Sequence, residues 1–292
     1  MNTNTGIRRQ TSSLKQDGQR LVHHATTSRL METLMRLGYL VRGLIYGVIG
    51  VLAIQVAVGG GGTLDDPQGA IVAMGKTPVG GVVLYGILVG LIGYALWGVI
   101  RAVFDPLNKG TGLKGIAQRI GYAVSAISYA LLALATYRLI TGVASAARNG
   151  AQATQNQQTT ASILSNSWGP LVVGIGAAIV MIVGLAQIIQ GFGPDFERQF
   201  QLYALSNNEQ KWIDRLGRFG TAARGVVFTM IGLFLFLAAY RNDPSQAQGF
   251  DGVLTALMHQ PYGPWLLGIV ALGLIAFGIY SAMCGVWLRF KR

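Results

Sequence analysis

The stretch Arg36–Gly50, RLGYLVRGLIYGVIG, decides how the whole chain reads. Its apolar residues continue to about residue 58, enough to cross a hydrocarbon core of roughly 30 Å, yet Arg42 lies inside the run. A guanidinium there either reaches back to an interface or serves something in the interior.

Of the 292 residues, 51% are hydrophobic and only 12% charged, with a mean hydropathy of +0.45. A soluble domain carries about 25% charged residues, so the composition points to a membrane protein. Glycine occurs 41 times, about twice the usual ~7%, and often inside apolar runs. A soluble helix would lose roughly 1 kcal/mol for each, whereas membrane helices use them for close packing. The single cysteine, Cys284, excludes an intrachain disulfide and a multi-cysteine metal site. A net charge of +12 would suit nucleic acid only as a basic stripe on a soluble fold. Here the charges lie between apolar runs, and no nucleic-acid partner is expected.

Six stretches have the length of a span, at about 37–58, 78–100, 119–141, 168–191, 216–240 and 262–288. The segments between them alternate in basic content. The tail through Arg36 holds six Lys and Arg, residues 101–119 four, 198–218 four and 289–292 three, while the other connections hold only Lys76, Arg148 and Arg241. The positive-inside rule then places both termini in the cytoplasm. Residues 1–29 are polar and lack the apolar core of a leader, so the first span is expected to be its own insertion signal.

The opening stretch recurs. RIGYAVSAISYALLA begins at Arg119 and RFGTAARGVVFTMIG at Arg218, each with Arg, an apolar residue and Gly: Arg36 and Gly38, Arg119 and Gly121, Arg218 and Gly220. Tyr39 and Tyr122 follow in the first two copies, and Tyr46, Tyr129 and Phe228 stand seven residues further on. Arg42 has a counterpart in Arg224, whereas the middle copy has Ser125. The second halves match through Gly69 with Gly252, Pro78 with Pro261 and Gly80 with Gly263, and the middle copy keeps a Gly-Pro at Gly169. The stretches 68–75 and 251–258 are too short to span and predict interfacial helices on the outer surface, with Trp168, Tyr262 and Trp265 as belt aromatics. The fold expected is all-α: six transmembrane helices in three tandem hairpins, at residues 36–110, 111–200 and 201–292. These follow a polar tail, 1–35, whose last part is a short amphipathic helix carrying Leu30, Met31, Leu34 and Met35.

Three paired spans, each opening on an Arg-x-Gly-Tyr-x-x-Arg-Gly-like motif and continuing through a Gly-x-x-x-Leu-x-x-x-Pro-x-Gly-like stretch, resemble the bacterial membrane-protein family known as domain of unknown function 1206. The resemblance covers Arg36 to the C-terminus and departs from the pattern at Ser125 and Ala126. It implies three-hairpin architecture and a place in the bacterial inner membrane, and it implies no reaction.

The candidate chemistry is sparse. With the span starting near Leu37, Arg42 would begin about 7 to 8 Å below the boundary and could snorkel to it, so Arg42 and Arg224 are expected first as contacts to a lipid headgroup or a neighbouring helix end and second as anion contacts. All 11 acidic residues lie in the tail, loops or span borders, which opposes a carboxylate proton relay. His23, His24 and His259 do not face one another across the spans, so neither haem nor metal is expected. Gly59–Gly62 lacks the Lys-Ser/Thr of a phosphate loop, and no serine sits in a nucleophile elbow. The expectation is therefore a non-enzyme without cofactor. Gly43 with Gly47 and Gly86 with Gly90 are spaced by four, and Gly268, Gly273 and Gly278 by five; these are expected to pack helices within the chain, with a homo-oligomer as the alternative. Ser206 with Glu209 forms a capping-box pattern for a helix that lies on the interface before turning inward.

Two functions fit these residues. The first is a non-catalytic scaffold or accessory subunit in contact with membrane lipids and another membrane complex. The second is a small anion transporter or channel using Arg42 and Arg224. The topology has a direct test: in a Cys284→Ser background, cysteines placed at Arg241 and at Lys114 should label from opposite sides of the membrane, and labelling from one side would refute six spans.

Overall fold

In the computed structural model, residues 29–104, 112–142, 151–193 and 207–287 are described, and they form helices joined by turns. Six long helices dominate: α1 (Arg29–Ala57), α3 (Gly80–Phe104), α4 (Leu113–Ile140), α6 (Gly169–Phe192), α7 (Asn207–Arg241) and α9 (Gly263–Trp287). Each is long and apolar enough to cross a membrane. Three short helices precede the second long helix of each repeat: α2 (Pro67–Gly75), α5 (Ala151–Leu164) and α8 (Phe250–Met258).

Local chemistry fixes these boundaries. Gly59, Gly61 and Gly62 adopt positive φ after α1, a region open to glycine without steric cost. α2 then starts with Pro67 in its first turn, and Asp66 caps it by accepting the Gly69 N–H at 2.7 Å. Burial pushes the Asp66 carboxyl up to about 6, against the opposing pull of that backbone donor.

The long helices pack in the order α4, α3, α1, α9, α7, α6. This is a pseudo-threefold arrangement of hairpins in which the last span of one repeat packs on the first span of the next. Glycines set the contact: a Cβ on Gly43 would meet the Gly278 carbonyl oxygen at 2.6 Å, and one on Gly225 would meet that of Gly184 at 2.7 Å. Within a repeat, α1 packs on α3 and α7 on α9. α4 and α6 are the exception, since the spans of the middle repeat form no such interface.

Several expectations change here. The predicted amphipathic helix is no separate element: Leu34 and Met35 belong to the first turns of α1, and Met35 is fully buried. The short helices are packed elements of the bundle. Ala70, Ile71 and Met74 of α2 and Phe250, Val253 and Leu254 of α8 join the central core, so both helices plug one end of the bundle. The middle counterpart, α5, was not anticipated, because its Gln- and Thr-rich sequence lacks apolar periodicity. α7 is one helix of 35 residues with no turn near the boundary; Ser206, His23 and His24 lie outside the described residues.

The plugs depend on the glycine that opens each second span. A Cβ on Gly80, Gly169 or Gly263 would fall on the carbonyl of Gly75, Ile163 or Met258, the last turn of the preceding short helix. Gly263→Ala should therefore lower thermal stability by about 1–3 kcal/mol, followed by far-UV circular dichroism in detergent. Gly81→Ala meets open space and should be neutral or mildly stabilising; equal losses from both would refute the close approach.

Candidate functional site

The opening motif puts Arg42 nine residues beyond Thr33, where the apolar stretch of α1 begins. It is 8% exposed. Its Nε donates to Ser281 Oγ of α9 at 3.2 Å, and Nη1 donates to the Tyr94 hydroxyl of α3. The guanidinium carbon lies 4.8 Å from the Tyr39 ring centroid, 5.0 Å from Tyr94 and 4.8 Å from Phe277, inside the distance at which the face of an aromatic ring attracts a cation. The expected snorkelling headgroup contact is corrected at Arg42: residues of α3 and α9 enclose its guanidinium, whose hydrogen bonds run to Ser281 and Tyr94.

Arg224 enters the same cluster from α7. Its Nε donates to the Tyr46 hydroxyl at 2.9 Å, and its guanidinium carbon lies 5.4, 4.7 and 5.1 Å from the rings of Tyr46, Phe228 and Phe277. Phe277 is thus shared by both arginines. Its ring also meets Tyr46 edge-on at 4.9 Å, while Tyr94 meets Tyr39 at 5.3 Å and Tyr129 at 4.6 Å. A third cation, Arg101 near the end of α3, is 7% exposed and lies 4.4 Å from the Tyr122 ring and 5.5 Å from those of Tyr94 and Trp97. Among the described residues no carboxylate pairs with Arg42, Arg101 or Arg224. Among the described residues, hydroxyls and aromatic faces are what these three guanidiniums meet.

The arginines that open each motif do different work. Arg119 donates through Nε to the Ala102 carbonyl at 2.7 Å and through Nη2 to Val103 at 2.8 Å. Arg218 donates to the Gly193 carbonyl at 2.9 Å and pairs with Asp214 at 2.6 Å. Each caps the C-terminal carbonyls of the preceding repeat, where a helix end carries partial negative charge. The backbone of Arg36 packs at the matching place, since a Cβ on Gly285 would meet its carbonyl oxygen at 2.8 Å.

The predicted glycines divide. Gly43 and Gly278 are in mutual contact, Gly278 also reaches the Gly47 backbone, Gly90 packs on Val41, and Gly273 packs on Ala223. Gly38 and Gly220 pack on Tyr94 and Phe277. Gly86, Gly268 and Gly121 meet nothing within 4 Å, so the expected packing role is corrected for Gly86 and Gly268. Spacing by four identifies a face without saying whether a neighbour covers it. Sequence reasoning passed over Tyr94, Phe277 and Arg101. The first two carry a signal, for each stands sixteen residues after the aligned prolines Pro78 and Pro261; Arg101 has no such echo.

Three comparisons bear on identity. The profile of the family described as Domain of Unknown Function (DUF1206) matches three times, at residues 37–105, 120–193 and 219–287, each match covering one hairpin. An uncharacterized protein of Bacillus subtilis (strain 168), YxxB, is 33% identical over 252 residues, 86% of this chain and 89% of its own. No solved structure matches. Three matches in register with the three hairpins, together with that near full-length relative, place the chain in the DUF1206 family.

Proposed function

We propose that this protein is a membrane-embedded anion-binding protein, of the binding or transport class, in which Arg42 and Arg224 hold the negative charge of the ligand. One observation carries the reading: two guanidiniums share the Phe277 ring inside an apolar bundle, with no carboxylate paired with either among the described residues. Buried charge is normally paired, and a charged side chain at the bilayer centre costs on the order of 2.5–3.5 kcal/mol even on insertion scales. An anion recovers that cost most directly. The alternation of Lys and Arg between the spans supports a bacterial inner-membrane location with both termini cytoplasmic. The absence of acidic residues from the span interiors supports a non-enzymatic role without proton relay. A scaffold or accessory role has weaker support, because lipid alone would cover the apolar outer faces.

Ligand-dependent stability tests the proposal. Purified full-length protein in neutral detergent is titrated separately with inorganic phosphate and with a short-chain anionic phospholipid. A ligand at a hundredfold excess over Kd should stabilise by about 2.7 kcal/mol. At least one of the two should raise Tm saturably, and Arg42→Gln with Arg224→Gln should abolish the shift. No saturable shift with either, or a shift that survives both substitutions, contradicts the reading.

A further inference from the structure

The middle repeat breaks the threefold pattern on one side only. Its α4 packs on α3 and its α6 on α7, so both contacts between repeats are kept. The contact within the repeat is not. Gly38 and Gly220 would each bring a Cβ to 2.7 Å from Tyr94 or Phe277 on the second span of their own repeat, whereas their counterpart Gly121 meets nothing within 4 Å. Only 22% of the apolar window of α4 and 17% of that of α6 are buried, against 39% or more in the other four long helices. The ring of helices is therefore open between α4 and α6, toward the space a bilayer would fill.

Each helix beside the opening carries a buried polar atom that lacks a partner among the described residues: the Tyr129 hydroxyl on α4 and Oε1 of Gln187 on α6. Their side chains are 7% and 9% exposed. Tyr129 stacks edge-on against Tyr94 and is an electrostatic neighbour of Arg224 and Arg42. Gln187 lies between Gly184 and Gly191, the two glycines pressed on α7. It holds the register of Ser281, between Gly278 and Gly285, which is the residue that accepts from Arg42. Arg224 uses Nε for Tyr46, and among the described residues its Nη1 and Nη2 meet no hydrogen-bond acceptor. The middle repeat has Ser125 where the other two carry these arginines, so α4 brings no guanidinium of its own to this register.

We infer that the opening between α4 and α6 admits the headgroup of an anionic phospholipid that bears a free hydroxyl. Its phosphate accepts from the Tyr129 hydroxyl and the Arg224 guanidinium, and its hydroxyl donates to Gln187 Oε1. This rests on the anion-binding reading above and specifies its ligand. A phosphate satisfies the two donors, and Oε1 can only accept, so the ligand must bring a donor as well. The shared chemistry, a phosphate beside a hydroxyl, also occurs in soluble glycerol phosphate. The opening selects the lipid, because it faces acyl chains rather than water. Phosphatidylglycerol is the simplest lipid of this kind.

Native mass spectrometry of the full chain in neutral detergent tests the inference, with phosphatidylglycerol, phosphatidylmethanol, which has the same charge and no hydroxyl, phosphatidylcholine and glycerol phosphate as probes. Phosphatidylglycerol should bind more tightly than each of the others, by about three- to tenfold over phosphatidylmethanol, the change expected from one neutral hydrogen bond. Tyr129→Phe should weaken it about tenfold while leaving lipid-free stability unchanged or higher, since that hydroxyl is unpaired. Gln187→Leu should erase the preference over phosphatidylmethanol and leave phosphatidylmethanol binding as it was. Equal binding of the two lipids by the unmodified chain overturns the hydroxyl assignment, and equal or tighter binding of glycerol phosphate overturns the lipid source. Undiminished phosphatidylglycerol binding by both variants overturns the site. In that last case loss of binding in Arg42→Gln would leave the anion reading standing, and its persistence there would remove both.

Discussion

Everything in this bundle is arranged around guanidinium groups held in an apolar interior with no carboxylate partner among the described residues. A desolvated cation over an aromatic face gains about 0.5–2 kcal/mol, and a hydrogen bond to a charged group about 1.5–3. Arg42 has three rings and two hydroxyl acceptors, which offset part of an insertion cost of about 2.5–3.5 kcal/mol but leave its charge without a counter-charge. Arg224 has one acceptor and three rings and is the less enclosed of the two. Arg42 thus also fastens α1 to α3 and α9, and Arg224 keeps the larger capacity for a ligand.

The glycine contacts make that arrangement possible. Helices joined through Gly43 and Gly278 or Gly184 and Gly225 touch backbone to backbone, which lets short hydroxyl side chains such as Ser281 reach a guanidinium on the neighbouring helix. Larger residues at these positions would widen the spacing and separate Arg42 from its acceptors. The plugs α2 and α8 close one end over the same cluster, with Phe250 edge-on to Tyr46 at 6.0 Å. The middle repeat, with Ala126 in place of the glycine and Ser125 in place of the arginine, keeps its neighbours and loses its own hairpin contact.

Much of this was legible in the chain. Hydropathy located all six long helices, and the recurring Arg-x-Gly motif gave the three repeats, because both depend on local composition. The site was less legible. The depth of Arg42 depends on where α1 starts, and hydropathy blurs that boundary, since the polar residues from Arg29 to Arg36 continue the same helix. Whether a glycine packs depends on which face a neighbour covers; Gly86 and Gly90 have identical spacing on one helix and opposite surroundings. The encounter of Arg42 with Arg224 across Phe277 is tertiary, although the repeat alignment already put Arg42 and Arg224 in corresponding registers. The polar α5 left no periodic signal.

The central claim is that the arginine pair lacks a counter-charge of its own. Ser125, one helical turn before Tyr129 on α4, occupies the arginine position of the middle repeat. A carboxylate placed there would supply the missing charge from within, since an opposite charge within ~4–6 Å favours the ionised form of both groups. The decisive measurement is the thermal stability of Ser125→Glu in neutral detergent at neutral pH, with and without anionic lipid. The account predicts a higher Tm than the unmodified chain without lipid and no further gain when anionic lipid is added. A lower Tm with the lipid response intact would contradict it.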